Sequence, residues 1–518
     1  MNEHEYKFGA NILENLTTGM YQDSRTIYRE YIQNACDSID EAIRSEILTE
    51  SDAEIKITID RQNRKIVIED NAMGIPDEKF ESILGNIADS EKRIGVNRGF
   101  RGIGRLCGLA YCKTLRFVSK FKGESRERSM TCDAKKMRDL IYENNLNGKQ
   151  YSAQQVLDWI NEFGHRRAEN PDAHFFRVEL EQINPENMDL LDIDRVREYL
   201  SFVAPVDYQP NFQFQDEIKN HASELGFKIE TYQITINGEP IFKNYQTRFK
   251  TKLSTDEVFG VEFENFIDAQ GEFLAWMWWG KSNLKGVISA KDNPPMRGLR
   301  LRAGNIQIGD EGTLKKFFTE DRGTTYFIGE VFIVSKDLIP NSQRDYLNEN
   351  PTRINFERLM TLTFHNRLTK IYRAASVIRS NQKKIEESKR ARREFDEMKA
   401  QGKFISEDHL REEEEKLEQK QIDAEKAAES LEKFQRSLDE QPSIIEEIFQ
   451  NAEEEIIESE QPAIEIPAEE KKFFREEKLQ HLPEHDREML KKIFEIIRNS
   501  TPEETSTMLI DKIEDEFK

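Results

Sequence analysis

The sequence has no uninterrupted apolar run of the ~18 residues that a membrane-spanning helix needs, so an integral membrane reading finds no support in it. The opening stretch Met1–Lys7 is polar and lacks the apolar centre of a signal peptide. Cysteine is scarce. Cys36, Cys107, Cys112 and Cys132 form no zinc-finger spacing and have no histidine cluster beside them. Buried thiols in a reducing compartment, and hence a cytoplasmic protein, are the expectation. Positive charge is also in short supply. With 76 Lys and Arg against 98 Asp and Glu, the net charge is −22. Phosphate contacts need Lys and Arg, so a general nucleic-acid binder is disfavoured, local basic patches aside.

What remains is a chain of 518 residues, 37% hydrophobic and 34% charged. That length suggests three or four domains, and the composition suggests true cores plus long solvated helices. In residues 1–200, apolar positions recur at helical spacing from Arg25 to Ile47, through Ile27, Tyr31, Ala35, Ile39 and Ile43. Ile55–Asp60 and Lys65–Glu69 read as strands joined by the turn at 61–64, and Thr114–Phe121 and Phe175–Leu180 as further strands. Helices and strands without a strict βαβ rhythm predict an α+β sandwich. Residues 201–370 form a second mixed region, with strands expected at Phe227–Ile236, Glu272–Trp279, Arg300–Ile308 and Tyr326–Val334, then a helix over Phe356–Ser380. Residues 371–440 read as a helical hairpin or coiled coil. Arg373–Lys399 forms its first arm, Gly402 breaks it, and Ser406 caps the second arm, on which Leu410, Leu417, Ala424, Leu431 and Leu438 lie seven apart. Residues 441–470, acidic and punctuated by Pro462 and Pro467, read as a linker. Residues 471–518 read as a small helical segment.

Three segments carry chemistry. On the helix Arg29–Asp37, steps of four and three put Glu30, Asn34 and Asp37 on one face. Taken alone, that face could be a polar edge turned to water. Ile68–Pro76 ends a strand with Asp70 and turns through Gly74, placing a carboxylate acceptor at the sheet rim. Alone, it is a turn. Gly99, Gly102 and Gly104 precede a short helix from Leu106 to Tyr111, and backbone N–H groups at such a start attract phosphate. This stretch follows no strand, so it is not a dinucleotide-binding fingerprint.

Together and in this order, the three segments resemble the GHKL ATPase superfamily: the ATPase chain of DNA gyrase, the 90-kDa heat-shock chaperone, histidine kinases, MutL and the MORC ATPases. The likeness is to the chaperone's N-terminal and middle domains, with Leu84–Ser90 similar to its approach to the ATP lid. The resemblance implies a GHKL α/β sandwich at 1–200, a mixed α/β transducer at 201–370, and ATP and Mg²⁺ as ligands. It implies that Glu30 activates water, that Asn34 binds Mg²⁺, that Asp37 belongs to the nucleotide site, and that Asp70 accepts from the adenine amino group. Gly74 would let the backbone approach the base, and Gly99, Gly102 and Gly104 would cradle phosphates. Such roles suit the residue types, since Mg²⁺ prefers hard oxygen ligands and keeps its waters. Two positions depart from the family. Ala72 stands where glycine is usual, and Asp89 where the chaperone tends to have lysine, so Lys92, Arg93, Arg98 or Arg101 in the lid would supply the positive charge.

Ser335–Leu347 is similar to the chaperone's middle-domain catalytic loop, with Asn341 and Arg344 in its Asn-x-x-Arg positions. That implies an arginine reaching the γ-phosphate from a second domain. The resemblance covers about residues 1–350 and fails after about 380. The leading expectation is an ATP-hydrolysing, chaperone-like machine that closes a lid and dimerises through its N-terminal region on a protein client. The runner-up is a DNA-associated clamp ATPase of the MutL or MORC kind, resting on the basic stretch Arg373–Arg393. Glu30 argues against a histidine kinase, whose superfamily members generally lack it, and Ala72 keeps a pseudo-ATPase in view.

Overall fold

The computed structural model describes residues 8–17, 19, 23–87, 102–148, 150–170, 172–438, 442–458, 479 and 481–517. They divide into two compact units, Met1–Ser282 with Gly286–Thr369, and Asn283–Lys285 with Lys370–Lys518.

The first unit is built on two sheets. In β1 (Glu54–Asp60) Ile55, Ile57 and Ile59 alternate into the core, and in β2 (Lys65–Asp70) Ile66 and Ile68 do the same. The two strands pair antiparallel from Asp60↔Lys65 to Ile55↔Asp70, which leaves Asp70 at the sheet's rim. With β3 (Cys112–Lys120), β4 (Arg126–Asp133), β5 (Asn161–Arg167), β6 (Phe175–Ile183), β7 (Gln233–Ile236) and β8 (Glu239–Pro240), they form one sheet ordered β5-β4-β3-β6-β2-β1-β7-β8. The strand read at Phe227–Ile236 is thus only its last four residues, and these run parallel to β1. The helices α1 (Asn11–Leu16), α2 (Thr26–Arg44), α3 (Asp77–Gly85), α4 (Ala134–Asn147) and α5 (Ala153–Ile160) share one hydrophobic cluster with the buried strand positions. This is the α+β sandwich that the sequence suggested.

After α6 (Ile193–Val203) and α7 (Gln215–Glu224) comes the second sheet, ordered β13-β12-β14-β11-β10-β9. Its strands are β9 (Arg248–Lys250), β10 (Thr255–Ile267), β11 (Phe273–Ser282), β12 (Gly298–Ala303), β13 (Ile306–Ile308) and β14 (Ile328–Ile333). The stretch Arg300–Ile308, expected as a single strand, is a hairpin. Gly304 and Asn305 both take positive φ, the geometry of a tight two-residue turn. Trp276, Trp278 and Trp279 of β11 are fully buried. So is a charged cluster in which Glu330 pairs with Lys243 at 3.1 Å and with Arg302.

α8 (Pro351–Thr363) starts on an Asn350 side-chain cap with proline in its first turn, and a π-helical turn at Phe364–Leu368 joins it to α9 (Thr369–Ala400). In the second unit α9 meets α10 (Glu407–Gln435) as an antiparallel hairpin. Asn381 Nδ2 bonds Ser430 Oγ at 3.1 Å, Gly402 turns the chain with φ +60°, and Ser406 caps α10. The linker reading fails at its start, where Ser443–Glu458 is a helix, α11, with Ile444, Ile445, Ile448, Phe449 and Ala452 buried. The acidic residues fall between apolar positions spaced along one helical stripe, and burial of that stripe decides the structure. Two more helices, Glu484–Ser500 and Glu503–Glu516, close a small core around Leu490, Phe494 and Ile510.

Candidate functional site

The wall of the site is α2. Its stripe Ile27, Tyr31, Ala35 and Ile39 is anchored in the core, which aims the neighbouring polar face at a fixed direction. Glu30 is 6% exposed and Asp37 4%, while Asn34 is half-buried. A helix edge turned to water would leave both carboxylates accessible, so that plain reading does not hold.

The Asp70–Pro76 turn is cross-braced. Asp70 is buried at the end of β2, and its Oδ1 accepts from Ala72 N at 3.1 Å. The Ala72 carbonyl lies 2.9 Å from His174 Nδ1, and Ile75 N donates to Ser119 Oγ at 2.7 Å. Gly74 takes φ +75°, and a Cβ there would fall 2.2 Å from the Lys120 carbonyl oxygen, so close backbone packing alone already demands glycine. Ala72 is fully buried and is absent from the residues with positive φ, so the usual glycine is not needed to make this turn. A buried carboxylate retains acceptor capacity beyond one backbone bond. The donor set, one carboxylate acceptor at the rim and oxygen donors along α2, fits an adenine nucleotide and a hard divalent cation. Among the described residues no three His, Cys, Asp or Glu side chains gather as a metal cage, so such a cation would depend on Asn34 and on phosphate oxygens.

Of the glycine segment, Gly99 and Arg101 lie outside the described residues, as do Lys92, Arg93, Arg98 and Asp89. Gly102 has φ +69°, and Gly104–Ala110 forms a 3₁₀ helix, rather than a helix from Leu106 to Tyr111. Tyr31 ties it to α2. Its hydroxyl donates to the Arg105 carbonyl at 3.0 Å and accepts from Gly108 N at 3.1 Å. Burial raises the phenol well above its ordinary range, so it stays a neutral hydroxyl able to serve both partners. A Cβ on Gly104 would stand 2.5 Å from Glu30 Oε2, so glycine at this position makes room for the carboxylate.

The other carboxylate oxygen faces a different part of the chain. Glu30 Oε1 is 3.3 Å from Arg344 Nε and 3.3 Å from Arg29 Nη2, and Arg29 Nη2 also reaches the Gln343 carbonyl at 3.3 Å. Arg344 itself takes φ +56°, a left-handed conformation that costs a non-glycine residue roughly 1–2 kcal/mol. Its loop is held by Pro340 bridging Leu347, by Asn341 Nδ2 donating to Asp345 Oδ1 at 2.5 Å, and by Gly309 N donating to the Arg344 carbonyl at 2.8 Å. Asn341 therefore shapes the loop, while Arg344 reaches α2. Arg29, Tyr31 and His174 were not singled out from the sequence. The only available signal was Arg29 adjoining Glu30.

Residues 23–165 match the family described as histidine kinase-, DNA gyrase B-, and HSP90-like ATPase. The chain is similar to the chaperone protein HtpG of Rhizobium meliloti, 35% identical over 95 residues, which is 17% of this chain and 15% of that protein. HtpG of Chlorobium phaeobacteroides is 36% identical over 97 residues, 17% of this chain and 16% of its own. HtpG of Orientia tsutsugamushi is 27% identical over 147 residues, 24% of this chain and 23% of its own. The matched stretches thus span less than a quarter of these relatives. Glu30, Asn34 and Asp70 lie within the matched residues 23–165, a stretch that is similar to GHKL-type ATPase domains.

Proposed function

We propose that the chain hydrolyses Mg²⁺-ATP and uses the cycle to change shape on a protein client, as a chaperone-like machine. In this reading Asp70 accepts from the adenine amino group, Asn34 offers its amide oxygen to Mg²⁺, Asp37 supports that face of α2, and Gly102 and Gly104, with Gly99, leave room for phosphates. Mg²⁺, when bound, neutralises phosphate charge. Glu30 takes a proton from water as the water oxygen bonds to the γ-phosphorus and the bond to the β-phosphate oxygen breaks. Arg344 balances the charge that develops on the transferred group. Lid closure and N-terminal homodimerisation complete the proposed cycle.

One observation carries this reading: the Glu30 carboxylate stands between Gly104 on one side and Arg344 on the other. The glycine segment and a remote guanidinium both meet this carboxylate, although the three come from separate stretches of sequence, and this supports reading Glu30 as the base. The DNA-clamp alternative draws less support from α9, where Arg390, Arg392 and Lys383 pair with Glu394, Asp396 and Glu387 one turn on. Those basic charges are matched along their own helix.

The test is calorimetry with a slowly hydrolysed ATP analogue beside steady-state turnover. Asp70→Asn abolishes binding, while Glu30→Ala binds within a few-fold of wild type and does not turn over. Equal loss of binding in both variants would sink the assignment.

A further inference from the structure

A cavity of about 540 Å³ is lined by residues of α2, α6 and the 307–313 and 343–345 loops. Arg29 and Arg344, the two partners of Glu30 Oε1, form part of its wall. Arg300 forms another part. It is 3% exposed, it lies 4.4 Å over the Phe202 ring, and it donates to Gln307 Oε1 at 2.7 Å and to the Pro295 carbonyl. Its Nε, also buried, has no hydrogen-bond partner among the described residues.

Charge is distributed unevenly around this space. Arg29 and Arg300 are buried and Arg344 is largely so, whereas Glu198, Asp310 and Asp345 are exposed. Of the remaining ionic groups, Asp23 and Arg25 pair with each other at 2.8 Å, and Glu311 is half-buried near Arg300. The inner wall is therefore cationic and the rim acidic. A phosphate within would be held by guanidiniums, whereas a phosphate approaching from bulk solvent would first meet carboxylates. Long-range repulsion of this kind acts mainly on association rates.

We infer that this cavity is the exit chamber for the phosphate freed by hydrolysis, an inference that rests on the ATPase reading above. In that reading ADP occupies the side of Glu30 defined by Asp70 and Gly104, so the phosphate leaves on the other side. Arg29 and Arg344 hand it from the Glu30 region to Arg300, and it departs past the acidic rim. The same two arginines that hold Glu30 at rest thus gate the product.

The test uses full-length protein in a single turnover. Phosphate formed is read by acid quench, and phosphate released by a fluorescent phosphate sensor. Val203→Trp takes up cavity volume from the end of α6. Glu198→Arg places a cation on the exposed rim and leaves the interior packing alone. In both variants formation keeps the wild-type rate, while release lags it by roughly tenfold or more, becoming the slow step. In Glu198→Arg the lag shrinks with added salt. Superimposed formation and release in Glu198→Arg, or in a Val203→Trp protein whose circular dichroism is native, overturns the exit route. So does saturable binding of added inorganic phosphate that Val203→Trp removes with release unchanged, which would make the cavity a site for bulk anions. If wild type forms no phosphate at all, the failure is that of the ATPase reading itself.

Discussion

Arg344 Nε stands 3.3 Å from Glu30 Oε1, and the two side chains are 12% and 7% exposed. The loop that supplies Arg344 lies beyond the second sheet, yet it touches the helix that carries the proposed base. A largely buried guanidinium in left-handed backbone is an expensive arrangement to hold, and such outliers gather at working sites. Arg344→Ala is expected to lower turnover on the order of 10³-fold in the chemical step, with a much smaller change in ADP affinity, since ADP lacks the group that Arg344 would contact. Lys336, exposed on the same loop, is the control. Steady-state hydrolysis of both alanine variants decides the matter. Wild-type turnover in Arg344→Ala, with a loss in Lys336→Ala, would mean the wrong residue. The comparison belongs in the full chain, because a fragment ending at residue 200 would strip β7 from β1.

Much of this arrangement could be read from the sequence, for physical reasons that differ by element. β1 and β2 announce themselves because Ile55, Ile57, Ile59, Ile66 and Ile68 alternate on either side of a polar turn. β5 does not, because Asn161–Arg167 is an edge strand with little buried side-chain area, so no hydrophobic period is written into it. Helical spacing puts Glu30, Asn34 and Asp37 on one face, and only the likeness to a family gives that face a role. The contacts of Glu30 with Arg344, and of Arg29 with Gln343, join distant stretches, and no local period encodes them. Arg344 was found only through its loop's likeness to a family. Tyr31 looked like one more aromatic on an apolar stripe, and nothing in that stripe reveals what its hydroxyl bonds.

Glycine at 104 and alanine at 72 make a paired prediction. A methyl at 104 would meet Glu30 Oε2 at 2.5 Å. The carboxylate is the end of a flexible side chain, so it moves and the fold survives. Displacement of a catalytic group by about 1 Å can cost on the order of 10²-fold in rate. Gly104→Ala is therefore expected to keep its thermal midpoint and lose most of its turnover. Ala72→Gly is expected to do the reverse, because the site already tolerates alanine and the change only loosens the chain, at about 0.5–1 kcal/mol. Steady-state hydrolysis and thermal unfolding of the two variants check both halves. Undiminished turnover in Gly104→Ala would show that Glu30 does not work from this position.

The buried cluster in the second sheet predicts how stability follows pH. Burial would raise the Glu330 carboxyl, but the Arg302 and Lys243 charges and the Tyr208 hydroxyl outweigh it and hold the group at about 2. Burial, then Arg302, push Lys243 down to about 7. The signs differ. For Glu330 the folded value lies below the ordinary 4.5, so its stabilisation is complete above that value and is lost as pH falls from there toward 2. For Lys243 the folded value lies below the ordinary 10.5, so between about 7 and 10.5 the unfolded chain holds the extra proton and stability rises with pH. Lys243→Met, which leaves Glu330 its Arg302 partner and the Trp278 Nε1 donor at 3.1 Å, is expected to abolish the alkaline rise while preserving the fold. Glu330→Gln leaves the buried Arg302 guanidinium without its carboxylate and is expected to cost about 3–5 kcal/mol. Urea unfolding at pH 4, 7 and 9 separates these outcomes. If wild type and Lys243→Met gain equally in stability between pH 7 and 9, Lys243 is not the group that titrates there.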